Sequence, residues 1–438
     1  MFACFFRENK KKSDKMRVTK NYVKRKIHNA DRYIVAFAKW VLIAFSIGGI
    51  GGLVGSLFHK AVNFATGFRG ENPVMLYLLP LGGVVIVFLY KICKVGEETG
   101  TNLIISSVRD NSKVPILMAP LIFVSTVITH IMGGSAGREG AALQLGGSIG
   151  AKAGEILKLD EKDMSLAIMC GMSGVFSALF GTPITAAFFA MEVISVGEIY
   201  YVGLVPCIAS SLVAYKISLL MGLPPTKFVM SGVPTFNFVP LIKTAALAVL
   251  CALVSMLFCI VMKSTHKFFA EKIKNSYLRA VAGGLAIIAL TFIVGSRDYN
   301  GAGGEIITAA IEEGRASPFA FLLKILFTAI TIGSGFKGGE IVPTFFIGST
   351  FGCFAGDLLG LSPGFGAAIG LAATFCGVVN CPAAAIFLSL ELFGGQGLIF
   401  FSVACAISYM LSGYYGLYSE QKIIYSKIKP KYINIHAK

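Results

Sequence analysis

Residues 131–150 read IMGGSAGREGAALQLGGSIG, a stretch that sets one Arg-Glu pair in an otherwise small and apolar background. The chain has 438 residues, of which 55% are hydrophobic and 14% charged, and its mean hydropathy is +0.74. Soluble domains carry about 25% charged residues, so this composition indicates a membrane protein. Glu139 therefore lies in a region that is suited to lipid or to the interior of a helix bundle.

Long apolar runs predict membrane-spanning helices. A helix needs about 20 mainly apolar residues to cross a bilayer. We assign such helices to 33–57, 75–93, 202–221, 239–262 and 397–410. These runs lack the short alternating pattern of an outer-membrane barrel, so the sequence predicts an all-α, polytopic membrane protein.

Basic residues are concentrated at the two ends of the chain. Residues 1–32 hold 11 Lys and Arg against three Asp and Glu, and the tail at 429–438 is also basic. The positive-inside rule therefore predicts cytoplasmic termini and an even number of net membrane crossings. We expect the protein in the inner (cytoplasmic) membrane. Topology and anionic lipid explain the net charge of +16 better than nucleic acid does, because the basic runs lack a recognisable nucleic-acid-binding module.

Motifs for metal binding or catalysis are not found in the sequence. The five His form no HExxH spacing, and the ten Cys are scattered without a CxxC pair. We therefore expect no metal, no cofactor and no enzyme activity, and we interpret the cysteines as small core residues.

The two halves of the chain repeat one pattern about 200 residues apart. The matching positions are mainly Gly, Pro and acidic residues: Gly137, Gly146, Gly150, Pro183 and Glu192 match Gly339, Gly348, Gly352, Pro382 and Glu391. Such repeats are typical of secondary transporters, whose substrate site lies at the repeat interface. We divide the chain into a basic cytoplasmic segment (1–32), two membrane repeats (33–222 and 223–428) and a short basic tail (429–438).

A glycine-rich segment precedes an apolar helix in each half, GGSAGREG at 133–140 and GSGFKGG at 333–339. Glycine leaves backbone N–H groups accessible, and a helix N-terminus attracts anions through those groups and its dipole. Two opposed helix starts would form an anion site without a fixed cation. Gly146, Gly150 and Gly154, at every fourth position, are instead interpreted as helix-packing residues.

Several titratable residues lie in or near apolar runs. A carboxylate at the depth of Glu139 is costly in a membrane and is a functional candidate, with an ion pair to Arg138 as the structural alternative. His130 is either a proton relay or, as is more usual for a lone His in an apolar run, a structural residue. We interpret Glu192 and Glu391 as helix-end charges.

These segments resemble the CLC family of chloride channels and anion/proton antiporters. GGSAGREG at 133–140 resembles the family's GREG-containing motif, and GGEIVP at 338–343 resembles its GGxFxP motif. GTNLI at 100–104 occupies the place of its GSGIP motif, and IIYSK at 423–427 that of the segment with its central tyrosine. The four motifs follow the family's order.

The resemblance implies a CLC fold of about 18 helices in two inverted-topology repeats, assembled as a homodimer with one anion pathway per subunit. Glu139 takes the place of the gating glutamate, which blocks the anion position when ionised and moves away when protonated. The implied anion-binding residues are Thr101, Gly137, Arg138, Gly140, Gly339, Glu340, Ile341 and Tyr425. Further along the implied pathway are Asn102, Val342 and Phe345.

Departures from the family pattern indicate a branch. Thr101 stands at the serine of GSGIP, Ala141 replaces the proline of GREGP, and Val193 replaces the internal proton-transfer glutamate. Together with the added acid at Glu340, these features resemble the bacterial fluoride-exporting branch, in which the equivalent of Glu340 helps to carry protons. Val342 differs from the threonine that is usual there.

The sequence therefore predicts a fluoride/proton antiporter that expels fluoride, with fluoride or chloride ions, protons and membrane lipid as partners. A passive fluoride or chloride channel is one alternative, because Val342 removes a hydroxyl from the proton route. A chloride/proton antiporter is the other, which Val193 disfavours. A structural scaffold would leave Glu139 and Glu340 unexplained.

Overall fold

The structure is a computed structural model that describes residues 2–96, 100–110 and 112–438, with side chains from residue 31 onward. Within these ranges it contains sixteen α-helices, two short 3-10 helices at Pro73–Leu78 and Tyr201–Gly203, and three strands. The helices are α1 (Phe2–Glu71), α2 (Leu79–Ile92), α3 (Thr101–Asp110), α4 (Met118–Ile131), α5 (Glu139–Ile156), α6 (Glu161–Phe180), α7 (Pro183–Glu192), α8 (Leu204–Leu220), α9 (Phe238–Lys272), α10 (Ser276–Val294), α11 (Gly304–Glu312), α12 (Ala320–Gly333), α13 (Ile341–Leu358), α14 (Pro363–Val379), α15 (Pro382–Phe393) and α16 (Leu398–Leu411). The strands are β1 (Ser195–Val196), β2 (Lys422–Tyr425) and β3 (Tyr432–His436).

The predicted helical membrane fold is confirmed. Seven helices in the described ranges are long and apolar enough to cross a membrane. Four of them coincide with apolar runs assigned from the sequence, whereas the run at 397–410 forms the shorter helix α16.

Three spans were not assigned from the sequence: Glu161–Phe180, Ser276–Val294 and Ile341–Leu358. The first and third have the lowest hydropathies of the seven, 1.5 and 1.3, and bury the largest shares of their apolar windows, 83% and 72%. A helix that contacts protein on most sides tolerates the small and polar residues that a lipid-facing helix avoids. Low hydropathy here reflects burial in the bundle.

Glycines pack corresponding helix pairs together in the two halves, α5 with α6 and α13 with α14. A Cβ atom added to Gly146 would overlap the backbone of Gly171, and one added to Gly348 would overlap that of Gly370. Gly150 packs on Ala167 in the same way. The packing interpretation of these glycines is therefore confirmed.

The two halves are also joined by a reciprocal pair of glutamates. Glu192, the last residue of α7, accepts hydrogen bonds from the N–H groups of Ala383 and Ala384 at the start of α15, at 3.1 and 2.9 Å. Glu391, near the end of α15, accepts from Ile184 and Thr185 at the start of α7, at 3.0 and 2.8 Å. The two helices therefore lie antiparallel, each capped by the other's acid.

This reciprocal contact fits an inverted arrangement of the two halves and confirms the helix-end interpretation of both acids.

The domain boundaries predicted from the sequence do not all fall between helices and strands. The boundary at 32/33 falls inside α1, that at 222/223 falls between α8 and α9, and that at 428/429 falls between β2 and β3. The division into repeats at 33–222 and 223–428 stays a prediction.

A small sheet lies near the end of the chain. β2 pairs in parallel with β1, and antiparallel with β3. The expected short tail at 429–438 therefore contains a strand. Lys427, just after β2, is held by Asn380 Oδ1, the carbonyl of Tyr409 and Ser412 Oγ.

Candidate anion-binding site

The two glycine-rich segments meet and form a backbone bridge. The Gly137 N–H donates to the Gly339 carbonyl at 2.7 Å, and the Gly339 N–H donates to the Gly137 carbonyl at 2.8 Å. A Cβ atom added to Gly140 would lie 3.0 Å from Gly339 Cα, so the close approach requires glycine. α5 begins at Glu139 and α13 begins at Ile341, so the two helix starts face one region.

Glu139 is fully buried at this junction. Its Oε2 accepts the Arg138 N–H at 2.8 Å, and its Oε1 lies 3.6 Å from Arg138 Nε. The backbone groups of Glu139 itself and of Val342, in the first turn of α13, also hydrogen-bond to the carboxylate. Backbone N–H groups of both helix starts therefore hold the carboxylate as they would hold an anion.

The structure contains contacts that fit both interpretations of Glu139, as a functional carboxylate and as the ion-pair partner of Arg138. Arg138 contacts Glu139 electrostatically, and it also donates through a terminal nitrogen to Asn63 Oδ1 at 2.9 Å. Glu139 Oε1 nevertheless has no hydrogen-bond partner among the described residues. Oε2 is thus hydrogen-bonded to the backbone, whereas Oε1 has the ion pair with Arg138 but no hydrogen bond within the described part of the chain.

Glu340 is the N-cap residue of α13 and carries the second acid of the junction. A Cβ atom added to Gly140 would lie 2.9 Å from Glu340 Oε2, so the side chain reaches toward the opposite helix start. That oxygen is buried without a hydrogen-bond partner among the described residues. Glu139 and Glu340 are close enough to act on each other electrostatically.

Two cavities approach the junction and share no lining residue. One, which we call the Glu139 cavity, has a volume of about 380 Å³ and is lined by Asn63, Thr66, His130, Arg138, Glu139, Val342 and Phe345, with further residues. The other, the Thr101 cavity, has a volume of about 340 Å³ and is lined by Tyr90, Thr101, Asn102, Gln144, Lys337, Glu340 and Tyr418, with further residues.

The two cavities open toward opposite ends of the bundle. The Glu139 cavity is lined by residues near the C-terminal end of α1, and the Thr101 cavity by residues near the C-terminal end of α2. The helical stretch Pro73–Ile92, which is long and apolar enough to cross a membrane, connects these two regions of the chain. The glycine bridge therefore separates two cavities on opposite sides of the protein.

Thr101 lines its cavity, but its hydroxyl is occupied. It donates to the Gly140 carbonyl at 3.3 Å and accepts from Gln144 Nε2 at 3.2 Å. Gln144 was not predicted as a site residue, and its Oε1 is buried without a partner among the described residues. A lone amide one helical turn after Gly140, in the apolar run AALQLGG, is the signal that would have identified it.

Tyr425, which was predicted to bind the anion, lines neither of the two cavities. Tyr425 is 47% exposed on β2, and its ring lies 5.9 Å from that of Tyr432. Tyr418 lines the Thr101 cavity instead, is 3% exposed, and its hydroxyl has no partner among the described residues. The first three residues of IIYSK, 423–425, belong to β2, and Tyr425 is the last residue of that strand.

Neighbouring side chains fix the segment that carries Tyr418. Asn102 Oδ1 accepts the Glu420 N–H at 3.3 Å, and Arg109 donates to the Glu420 carbonyl at 2.5 Å. Asn102, expected on the pathway, thus lines the cavity and also anchors this segment. Phe345, also expected there, lies in the Glu139 cavity with its ring 5.8 Å from that of Phe180.

Fold and site together define a class of protein: helical membrane proteins in which helix starts from two halves meet at a buried ion position, as in ion channels and secondary transporters. The sequence profile described as voltage gated chloride channel, that of the CLC family, matches residues 81–413. The chain belongs to the CLC family.

Known relatives agree with this assignment. The chain is 34% identical over 397 residues to the chloride/fluoride channel protein of Pseudomonas syringae pv. tomato, covering 89% of this chain and 88% of the relative. A crystal structure of a CLC-type fluoride/proton antiporter matches with a TM-score of 0.85 and 31% identity, covering 88% of this chain and 98% of the other. A slow cyanobacterial Cl-/H+ antiporter, at 18% identity, a TM-score of 0.73 and coverages of 85% and 94%, shows the same fold.

Proposed function

We propose that the protein exports fluoride from the cytoplasm in exchange for protons, as a homodimer in the inner membrane with one pathway per subunit. The observation that carries the proposal is the Glu139 carboxylate, held by backbone N–H groups of two helix starts. A negatively charged side chain and a transported anion compete for these donors. Protonation removes the charge, weakens the side chain's hold and opens the position to the anion.

The orientation follows from the basic N-terminus. With this end in the cytoplasm, α1 carries the chain across the membrane, so the Glu139 cavity faces outward and the Thr101 cavity faces the cytoplasm. Lys274, Arg279 and Lys337 line the Thr101 cavity and raise the local concentration of anions. Fluoride enters there and passes Thr101 and Tyr418 before it reaches the Glu139 position.

Glu340 supplies the proton step in this proposal. A proton that reaches Glu139 from outside passes across the junction to Glu340, whose unpartnered oxygen faces the start of α5. Val193 cannot take the proton onward from Glu340, because its side chain has no acidic group. Its carbonyl accepts the Gln421 side-chain amide at 3.1 Å, so that position is part of a structural network. Glu340 is therefore the group from which the proton leaves toward the cytoplasm.

Fluoride is favoured by the hydrogen-bonding groups of the Thr101 cavity. Fluoride is small and strongly hydrated, so a pathway for it must replace water with close donors. Tyr418 brings a hydroxyl without a partner among the described residues, and Gln144 brings an amide with a second N–H, whereas the Thr101 hydroxyl is already bonded to Gly140 and Gln144. The name of the relative from Pseudomonas syringae and the description of the matching antiporter structure also support fluoride.

A passive channel is the second candidate, because Val342 lines the Glu139 cavity without a hydroxyl that could relay a proton. Purified protein in liposomes distinguishes the candidates. Fluoride and chloride efflux are recorded separately with ion-selective electrodes at several external pH values. Fluoride efflux that is accompanied by alkalinisation of the external buffer identifies an antiporter, and fluoride efflux without proton movement identifies a passive channel. Equal efflux of fluoride and chloride would contradict fluoride selectivity.

A further inference from the structure

His130 is a buried titratable residue that the proposed transport cycle has not used. It lies near the end of α4, has no exposed surface, and lines the Glu139 cavity together with Glu139 and Arg138. Because His130 and Glu139 line the same cavity, the hydrogen-bonding state of the His130 ring decides what it can offer the Glu139 side chain.

The structure determines which ring nitrogen carries the proton. Nε2 lies 3.3 Å from the Gly137 carbonyl oxygen. A carbonyl can only accept, so Nε2 is the N–H donor. Nδ1 is buried and has no hydrogen-bond partner among the described residues. In a neutral ring, Nδ1 is therefore a lone-pair acceptor.

The surroundings of His130 favour the neutral ring. Arg69, on α1, donates to the His130 carbonyl at 2.7 Å. Arg138, before α5, and the buried Lys324, on α12, add positive charge nearby, and Glu139 and the exposed Glu305 are the acids that line the same cavity. A charged imidazole would leave the Nδ1–H donor without an acceptor among three cations, which is costly in a buried position.

We propose that His130 Nδ1 accepts a hydrogen bond from the protonated Glu139 carboxyl after that side chain leaves the two helix starts. This inference rests on the proposed function, because it assigns a residue that positions the open state of the same gate. The proton stays on the carboxyl, and only an O–H···N hydrogen bond forms. His130 is thus a positioning residue for the gate.

Other polar groups of the Glu139 cavity are less suited to accept this hydrogen bond. Asn63 Oδ1 already accepts from Arg138 at 2.9 Å. The Thr66 hydroxyl donates to the Val62 carbonyl at 2.9 Å, and its oxygen lies at an exposed position where water competes for it. Glu305 is exposed to solvent. Apolar side chains, including Phe180 and Phe345, form much of the remaining wall. Without His130, a protonated Glu139 in this cavity has few acceptors in the protein.

Two amide substitutions separate this role from a purely structural one. In His130→Gln, the longer side chain places its amide near the former Nε2, so the bond to Gly137 is kept and the acceptor at Nδ1 is lost. In His130→Asn, the shorter amide places an oxygen near the former Nδ1, so the acceptor is kept and the bond to Gly137 is lost. Fluoride efflux from liposomes is measured against external pH and normalised to its maximum.

We expect the half-activating pH of His130→Gln to fall by roughly one unit, the equivalent of one hydrogen bond lost by protonated Glu139. His130→Asn should stay within a few tenths of a unit of the unsubstituted protein. The opposite order, with the Asn variant shifted and the Gln variant unchanged, would show that the Gly137 bond is what matters and would overturn the proposal.

A second background adds an independent check. In Glu139→Ala there is no carboxyl to accept from, so adding His130→Gln should leave fluoride efflux unchanged. An equal loss of efflux in both backgrounds would contradict the inference. The unsubstituted protein, measured in parallel, separates this outcome from failure of the proposed function, in which fluoride efflux would show no dependence on external pH.

Discussion

Replacement of Glu139 by glutamine removes the tethered anion without removing the side chain. Three backbone groups, of Arg138, Glu139 and Val342, hydrogen-bond to the carboxylate. A hydrogen bond to a charged group is worth about 1 kcal/mol more than one to a neutral group. The glutamine side chain should therefore bind these backbone groups about 3 kcal/mol less strongly than the carboxylate does, and so compete less with the anion. A difference of about 1.4 kcal/mol corresponds to a tenfold change in affinity. We expect fluoride to bind on the order of 100-fold more tightly.

Isothermal titration of the purified variant with fluoride measures this gain, and liposome efflux should become independent of external pH. Glu391→Gln is the matched control. Glu391 also accepts two N–H groups of a helix start, at 3.0 and 2.8 Å, but it lies outside both cavities. An unchanged fluoride affinity in Glu139→Gln, or pH-independent efflux in the control as well, would refute the competition mechanism.

The remaining predictions concern the proton, the anion and the packing. Glu340→Gln should keep fluoride efflux but abolish the accompanying pH change, measured with paired electrodes, and retained coupling would contradict its role. Tyr418→Phe should weaken fluoride binding about fivefold, the equivalent of one hydrogen bond of about 1 kcal/mol, whereas Tyr425→Phe should leave binding unchanged; titration of both variants decides. Gly146→Ala places a methyl group against the backbone of Gly171 and should destabilise the protein by about 1–3 kcal/mol. A thermal melt in detergent should show a lower Tm, and an unchanged Tm would contradict the packing.

Local sequence patterns predicted the elements that form the junction. The glycines before Glu139 and Glu340 indicated helix starts, and their positions about 200 residues apart in the chain indicated that the two starts belong together. Composition also identified four of the seven apolar spans, but the exposed span at 276–294 was not assigned from the sequence. It missed the helices at 161–180 and 341–358, because hydropathy records contact with lipid and these helices contact mainly protein.

Residues whose roles depend on tertiary contacts were harder to predict. Tyr425 and Tyr418 are seven positions apart, and only the pairing of β2 with β1 and β3 shows which of them enters the cavity. Gln144 is linked to the site by its hydrogen bond to Thr101, which is 43 residues away in the sequence. The lone-pair nitrogen of His130 follows from its contact with the Gly137 carbonyl, which a sequence cannot specify.

Opposed movement of fluoride and protons is the central claim. Liposomes loaded with fluoride are diluted into fluoride-free buffer at equal pH, with the membrane potential held at zero by potassium and valinomycin, and the external pH is followed. If the protein exchanges internal fluoride for external protons, the external buffer becomes more alkaline as fluoride leaves. Leakage of hydrogen fluoride through the lipid acidifies the external buffer instead, and this leak is measured in protein-free vesicles. Fluoride efflux through the protein without external alkalinisation would contradict the account.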